Sequence, residues 1–208
     1  MRSIIREFKD QEKKGILLVV SGPTCAGKDA AMRRLLKRSR NIFRLVTTNS
    51  RPKRTEEREG VDYYFISRKE FEDLIAKEAF FEWVEYRGHY RGTQKKHIRE
   101  ALASGKDVIW RIDVRGVKNV YKKVKKEIPF SAFVFIGEAL SVIEERLKKR
   151  ATENKKWGDW SRSRAKWELS QFRGFDYAVH NKQGKLKKTV EAIEAIIEAE
   201  RKKVKDKK

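Results

Sequence analysis

Cysteine is nearly absent from this chain: its 208 residues contain one, Cys25. That excludes an internal disulfide and fits a reducing, cytoplasmic setting. No apolar run approaches the roughly 20 residues that a membrane-spanning helix needs. The basic start, Met1-Arg2-Ser3-Ile4-Ile5-Arg6, lacks the apolar core of a secretory leader. Paired Cys/His modules, a helix-turn-helix signature and internal repeats are all missing, and the one biased stretch is the Lys-rich end. A soluble protein without a membrane partner is expected, long enough for one core with a small inserted lobe. Whether it is a monomer or a homodimer is left open.

Acidic residues are also in short supply, 30 against 52 Lys and Arg, a net charge of +22. Residues 201–208 hold six basic residues and one acid, a surplus of five that leaves +17 on the rest. The charge therefore belongs to the globular part. Such a surface binds nucleic acid through phosphate contacts or draws anionic nucleotides to an enzyme. No aromatic–basic single-strand motif accompanies it, so the second reading is favoured over nucleic-acid binding.

What is present is a phosphate-cradling loop. Gly22-Pro23-Thr24-Cys25-Ala26-Gly27-Lys28 fits the start of G-x-x-x-x-G-K-[ST], in which backbone N–H groups wrap phosphates and the Lys reaches the β/γ-phosphates. The apolar run Gly15–Val20 before it reads as a buried parallel strand. After it, Ala30, Ala31, Met32, Leu35 and Leu36 recur at helical spacing. A strand, a glycine turn and a helix N-terminus make an anion site. The eighth position, where a hydroxyl would hold Mg²⁺, is Asp29, and Ala30 follows. A carboxylate is a hard-oxygen ligand, so Asp29 is the candidate metal residue, although it adds negative charge beside the phosphates.

Further along, strands are expected over 43–48 and 61–66, separated by a polar loop from Asn49 to Gly60. Ser67 and Glu70 form a capping box for a helix with Phe71, Leu74 and Ile75 on its apolar face. A hairpin turns at Gly88, and a helix from His97 ends at Gly105. Strands over 108–113, 130–136 and 175–179 restore α/β alternation, with helices carrying Val142, Ile143 and Leu147 and then Val190 to Ile197. Arg150 to Ser163 is polar and aperiodic, as a mobile lid would be. The expected fold is α/β, a parallel-sheet core of the P-loop NTPase type flanked by helices (about 15–44 and 96–200). A mixed α+β acceptor-binding lobe at about 45–95, a lid at about 150–163 and a basic tail at 201–208 complete one domain.

Beyond the loop, the chain resembles guanylate kinases from about Gly15 to Ile197. The resemblance rests on Thr47-Thr48-Asn49-Ser50-Arg51-Pro52-Lys53-Arg54 with Glu57, Gly60, Val61, Asp62 and Tyr63. It continues through Phe80, Glu82 and Trp83; Gly88, Tyr90, Gly92 and Thr93; Ile112-Asp113 and Gly116; Arg146-Leu147, Arg150 and Thr152; and Asp176-Tyr177 with Asn181. It implies ATP-dependent phosphorylation of GMP or dGMP, with Mg²⁺ accompanying ATP. Gly22 through Ala30 and Asn181 would bind ATP, with Lys28, Asp113, Arg146 and Arg150 as the catalytic set. Arg51, Arg54 and Tyr63 would take the GMP phosphate, and Thr47, Glu82 and Thr93 the guanine.

Three further departures bear on that implication. Cys25 replaces a glycine usual in the loop, and a positive φ there would cost on the order of 1 kcal/mol. Arg91 stands where the family has a phosphate-binding Tyr and is expected to donate to the same anion. Arg111 replaces an acid beside the guanine pocket and is placed to pair with Glu82. Two alternatives stay open: a non-catalytic phospho-ligand domain, and a kinase for another phosphorylated acceptor such as ribose 1,5-bisphosphate.

Overall fold

The apolar run after Gly15 becomes a wholly buried strand, β1 (Leu17–Ser21). Burying each such Leu or Val side chain contributes roughly 1.5–3 kcal/mol. In the computed structural model, residues 15–86, 88–128, 130–151 and 159–205 are described. After β1 come α1 (Lys28–Arg38), β2 (Ile42–Leu45), β3 (Thr48–Asn49), β4 (Tyr64–Phe65), α2 (Arg68–Ala76), β5 (Phe80–Tyr86) and β6 (His89–Gln94). The chain continues with α3 (Lys95–Ala103), β7 (Asp107–Arg111), α4 (Val114–Glu127), β8 (Ser131–Gly137), α5 (Leu140–Ala151) and α6 (Asp159–Ser170). A 3₁₀ turn (Gln171–Gly174), β9 (Tyr177–His180) and α7 (Leu186–Lys205) follow. The sheets have strand orders β2-β7-β1-β8-β9 and β4-β3-β6-β5.

The described residues form two compact units: those up to Leu17 with those of 41–131, and those of 18–40 with those from Ala132 on. In the first, β2 pairs β7 in parallel, with Ile42 opposite Asp107 and Leu45 opposite Trp110. The smaller sheet is mixed: β3 runs parallel to β4 and antiparallel to β6, which forms a hairpin with β5. Ser67 caps α2 through the reciprocal bonds expected with Glu70. In the second unit, β8 pairs β9 in parallel, with Val134 opposite Tyr177. There α1 buries Ala31, Met32 and Leu35, and its Arg38 meets Glu194 of α7 at 2.8 Å.

Several boundaries differ from the sequence reading. The single strand expected over 43–48 is two, β2 and β3, belonging to different sheets. The strand over 61–66 shrinks to Tyr64–Phe65 because Val61 and Asp62 turn back to bond the Arg58 carbonyl. Helix α4 is an addition: Val114, Val117, Val120 and Val124 form its buried face, with Asp113 as its N-cap. Arg150 and Ala151 end α5, and 159–163 open α6. The rest of the expected lid, 152–158 with Thr152 and Trp157, lies outside the described residues, as does the end of the basic tail, 206–208. The tail up to Lys205 is helical. Among the described residues no helix is long and apolar enough to cross a membrane.

Candidate functional site

The phosphate loop belongs to the second unit, and its shape follows from three residues with positive φ: Gly22 (138°), Cys25 (64°) and Gly27 (83°). A Cβ on Gly22 would collide with the Ile136 backbone of β8, so glycine is required there for close approach as well as conformation. Cys25 adopts the left-handed backbone expected from its place in the loop. It offsets part of that strain by packing against Ile143, Leu147 and Ala165. Gly27 precedes α1 with no side-chain cap, and Asp29 lies in the first turn. An uncapped helix start suits an anionic ligand, and Asp29 complements the helix dipole.

Other side chains fasten this loop. Lys28 Nζ donates to the Gly22 and Pro23 carbonyls at 2.7 and 2.6 Å. Arg146 Nη1 donates to the Cys25 carbonyl at 2.9 Å. Asn181 Nδ2 donates to the Ala26 carbonyl at 2.7 Å, while its Oδ1 accepts from Thr189 Oγ1 at 2.8 Å. Glu168, buried on α6, accepts the Thr24 N–H at 3.0 Å and Arg164 Nε at 2.8 Å. Thus Asn181, expected at adenine, has its amide group under the loop. Glu168 and Thr189 were not singled out from the sequence; a helical acid and a helical threonine carry no motif of their own. The Arg150 side chain lies outside the described ones.

The first unit gathers the remaining candidates. Arg51 forks onto Glu57, with Nη1 2.7 Å from Oε2 and Nη2 on Oε1, and Oε2 also accepts the Arg54 N–H at 3.0 Å. Burial pushes the Glu57 carboxyl up, but these bonds and the two guanidinium charges together hold it below its ordinary value. The Arg51 guanidinium lies 5.4 Å from the ring centres of both Tyr63 and Phe65. Thr47 gives its carbonyl to the Tyr64 N–H at 2.9 Å. The Arg91 and Arg115 guanidiniums lie 4.6 and 5.3 Å from the Tyr86 ring centre.

At the centre of this group is Glu82 on β5, 8 % exposed. Trp110 Nε1 donates to Thr93 Oγ1 at 2.9 Å, and Thr93 Oγ1 donates in turn to Glu82 Oε1 at 2.7 Å. Gly116 of α4 leaves room for the other oxygen, since a Cβ there would stand 3.0 Å from Oε2. Burial, reinforced by the charge of Asp113 and opposed by the Thr93 bond, pushes the Glu82 carboxyl up to about 7. Asp113 caps α4, accepting the Arg115 N–H at 3.0 Å. Arg111, expected beside Glu82, has its guanidinium 5.1 Å from the Tyr63 ring centre.

The glycine-bearing loop before α1, the buried Glu82 and the Arg51 fork stand at positions on which the sequence resemblance rests. The family model described as guanylate kinase matches residues 14–200. The chain belongs to the guanylate kinase family. A guanylate kinase of Carboxydothermus hydrogenoformans is 41% identical over 189 residues, 90% of this chain and 90% of that protein. One from Thermotoga maritima is 36% identical over 192 residues, 92% and 90% of the two chains. The crystal structure of guanylate kinase from Anaplasma phagocytophilum shares the fold with a TM-score of 0.72 at 24% identity, covering 95% of this chain and 89% of that one. Within this guanylate kinase fold, Gly116 and Trp110 support Glu82; Gly116 entered the resemblance without a role, and Trp110 was not singled out from the sequence. The signal for both was their position, in and just after the strand that ends near Asp113.

Proposed function

We propose that the chain transfers the γ-phosphoryl group of ATP to GMP, giving ADP and GDP. The observation that carries this reading is Glu82, a buried carboxylate with one oxygen fixed by Thr93 and Trp110. Its free edge suits the ring N–H and exocyclic amine of guanine, two donors side by side. Thr47 and Thr93 border the same base. Arg51, Arg54, Tyr63 and Arg91 supply donors for the monophosphate. Glu57 keeps the Arg51 fork formed until that anion arrives.

On the ATP side, the loop from Gly22 to Ala30 wraps the phosphates, and Lys28 exchanges the Gly22 and Pro23 carbonyls for phosphate oxygens. Arg146 and Arg150 add positive charge where the transferring group passes, and positioning with electrostatic stabilisation does most of the work in such a reaction. Asn181 holds the loop beneath the phosphates, and Asp113 sets the charge around Glu82. The chain offers little for a metal by itself: among the described residues no group of three or more His, Cys, Asp or Glu is arranged to hold one. A carboxylate at Asp29, at the uncapped start of α1, fits an ion that arrives mostly liganded by phosphates and water. Mg²⁺ bound with ATP supplies neutralisation of the phosphate charge. The protein is assigned to the cytoplasm.

The test is ADP release from Mg-ATP with GMP, dGMP, AMP, UMP and ribose 1,5-bisphosphate as acceptors. Turnover with GMP and dGMP and none with AMP or UMP is expected. No ADP with any acceptor, alongside calorimetric binding of GMP, would make the domain a phospho-ligand binder. Turnover confined to ribose 1,5-bisphosphate would move the acceptor to a sugar phosphate.

A further inference from the structure

Glu138 follows β8 directly and is a secluded acid near the phosphate loop, with its side chain 2 % exposed. Its Oε1 accepts the Ala139 N–H at 2.8 Å and lies 2.8 Å from His180 Nε2 on β9. Those two contacts anchor the turn into α5 and meet the structural needs of that oxygen. The other oxygen does something different. Oε2 is buried and makes no hydrogen bond among the described residues, yet it stands 3.6 Å from Arg146 Nη2. Burial pushes the carboxyl up, but the Ala139 N–H, His180 and Arg146 together hold it below its ordinary value. A buried carboxylate with one unbonded oxygen is costly to keep unless its charge is used.

Arg146 is thereby held from two sides. Nη1 is on the Cys25 carbonyl, and Nη2 faces Glu138. A planar guanidinium fixed along one edge keeps its other donors in a set direction. We propose that Glu138 is a positioning residue for phosphoryl transfer, orienting Arg146 at the phosphate loop by its charge. This rests on the kinase reading above, in which Arg146 acts on the transferring group. Glu138 itself touches no substrate. Its effect should therefore appear in turnover and run through Arg146.

The experiment is a double-mutant cycle on the full chain with Glu138→Gln and Arg146→Ala. Glu138→Gln should lower kcat about tenfold, the rate change that follows from about 1.36 kcal/mol of lost transition-state stabilisation. KM for GMP should stay within about twofold, because no group proposed to bind GMP is disturbed. In the Arg146→Ala background the same change should alter kcat by less than about twofold. An equal loss in both backgrounds would overturn the proposal and leave Glu138 a purely structural acid. Glu138→Asp, run through the same cycle, decides the matter by the same criterion should the Gln variant not fold. It keeps the charge and should retain more turnover than Gln. If the wild-type chain releases no ADP with any acceptor, the kinase reading has failed, and ¹⁵N NMR of the arginine side chains tests the positioning separately. The Arg146 Nη signals should be resolved in the wild type and collapse in Glu138→Gln; signals that are the same in both proteins would overturn the proposal.

Discussion

Replacing Glu82 with Gln should make the protein more stable at pH 8 and worse at binding GMP. Burial and Asp113 push the Glu82 carboxyl from its ordinary 4.5 up to about 7. Below pH 4.5 the group is protonated in both folded and unfolded chains and carries no penalty. Between pH 4.5 and 7 the unfolded chain gives up its proton while the folded one keeps it, so stability falls as pH rises. Above pH 7 the loss is complete, on the order of 3 kcal/mol at about 1.36 kcal/mol per pH unit separating the two values. Gln preserves the oxygen that accepts from Thr93 and removes the charge.

Urea unfolding at pH 5 and pH 8, followed by tryptophan fluorescence, measures the difference. The gain in unfolding free energy for Glu82→Gln should approach the order of 3 kcal/mol at pH 8 and be below about 1 kcal/mol at pH 5. A gain that is the same at both pH values would refute the buried-carboxylate argument. The functional cost should be separate from this. The new amide N–H faces a guanine donor, so KM for GMP should rise at least about tenfold, as expected when a buried donor is left unpaired. In the wild type, kcat/KM for GMP should fall along a one-proton limb below about pH 7.

Two other changes test the site from different directions. Cys25→Gly and Cys25→Ala both lose the contacts with Ile143, Leu147 and Ala165, but only Gly relieves the left-handed backbone. That relief, about 1–2 kcal/mol, is partly offset by the greater freedom of Gly in the unfolded chain, about 0.4–1 kcal/mol. Denaturant melts should therefore rank Gly above Ala by roughly 0.5–1 kcal/mol; the reverse order would show that φ of 64° carries no strain here. Gly116→Ala places a methyl 3.0 Å from Glu82 Oε2. Steady-state kinetics should show KM for GMP rising on the order of tenfold, since a displaced Glu82 leaves a guanine donor poorly paired, with KM for ATP unchanged.

The sequence was legible where one local rule governed the outcome. β1, the loop and α1 follow from an apolar run, spaced glycines and a 3.6-residue repeat. The Ser67–Glu70 box and the Gly88 hairpin are equally local. Legibility failed where geometry over distance decided. Nothing local says that Val46-Thr47 should pass the chain from one sheet to the other, or that Arg58 should gather Val61 and Asp62 into a turn. Helix α4 hid because its buried valines favour strands and its exposed face is mostly lysine. At the site, motif spacing nominated the candidate residues. Their partners were not legible: Glu57 under Arg51, Trp110 behind Thr93 and Glu138 beside Arg146 lie in positions that only the folded chain brings together. The Arg111 contact with the Tyr63 ring was likewise not legible, since its sequence position suggested Glu82.

The chain from Trp110 through Thr93 to Glu82 also limits how acceptor choice can be exchanged between relatives. Every residue proposed to touch GMP lies between Thr47 and Thr93, one uninterrupted stretch of sequence. It is tempting to regard that stretch as a transferable cassette. Yet the indole that fixes Thr93 comes from β7, the carboxylate that perturbs Glu82 caps α4, and the glycine that makes room for it lies one turn into that helix. A graft of residues 45–95 alone would set a foreign base reader on native supports. Moving the specificity of this protein intact requires carrying Trp110, Asp113 and Gly116 along with it.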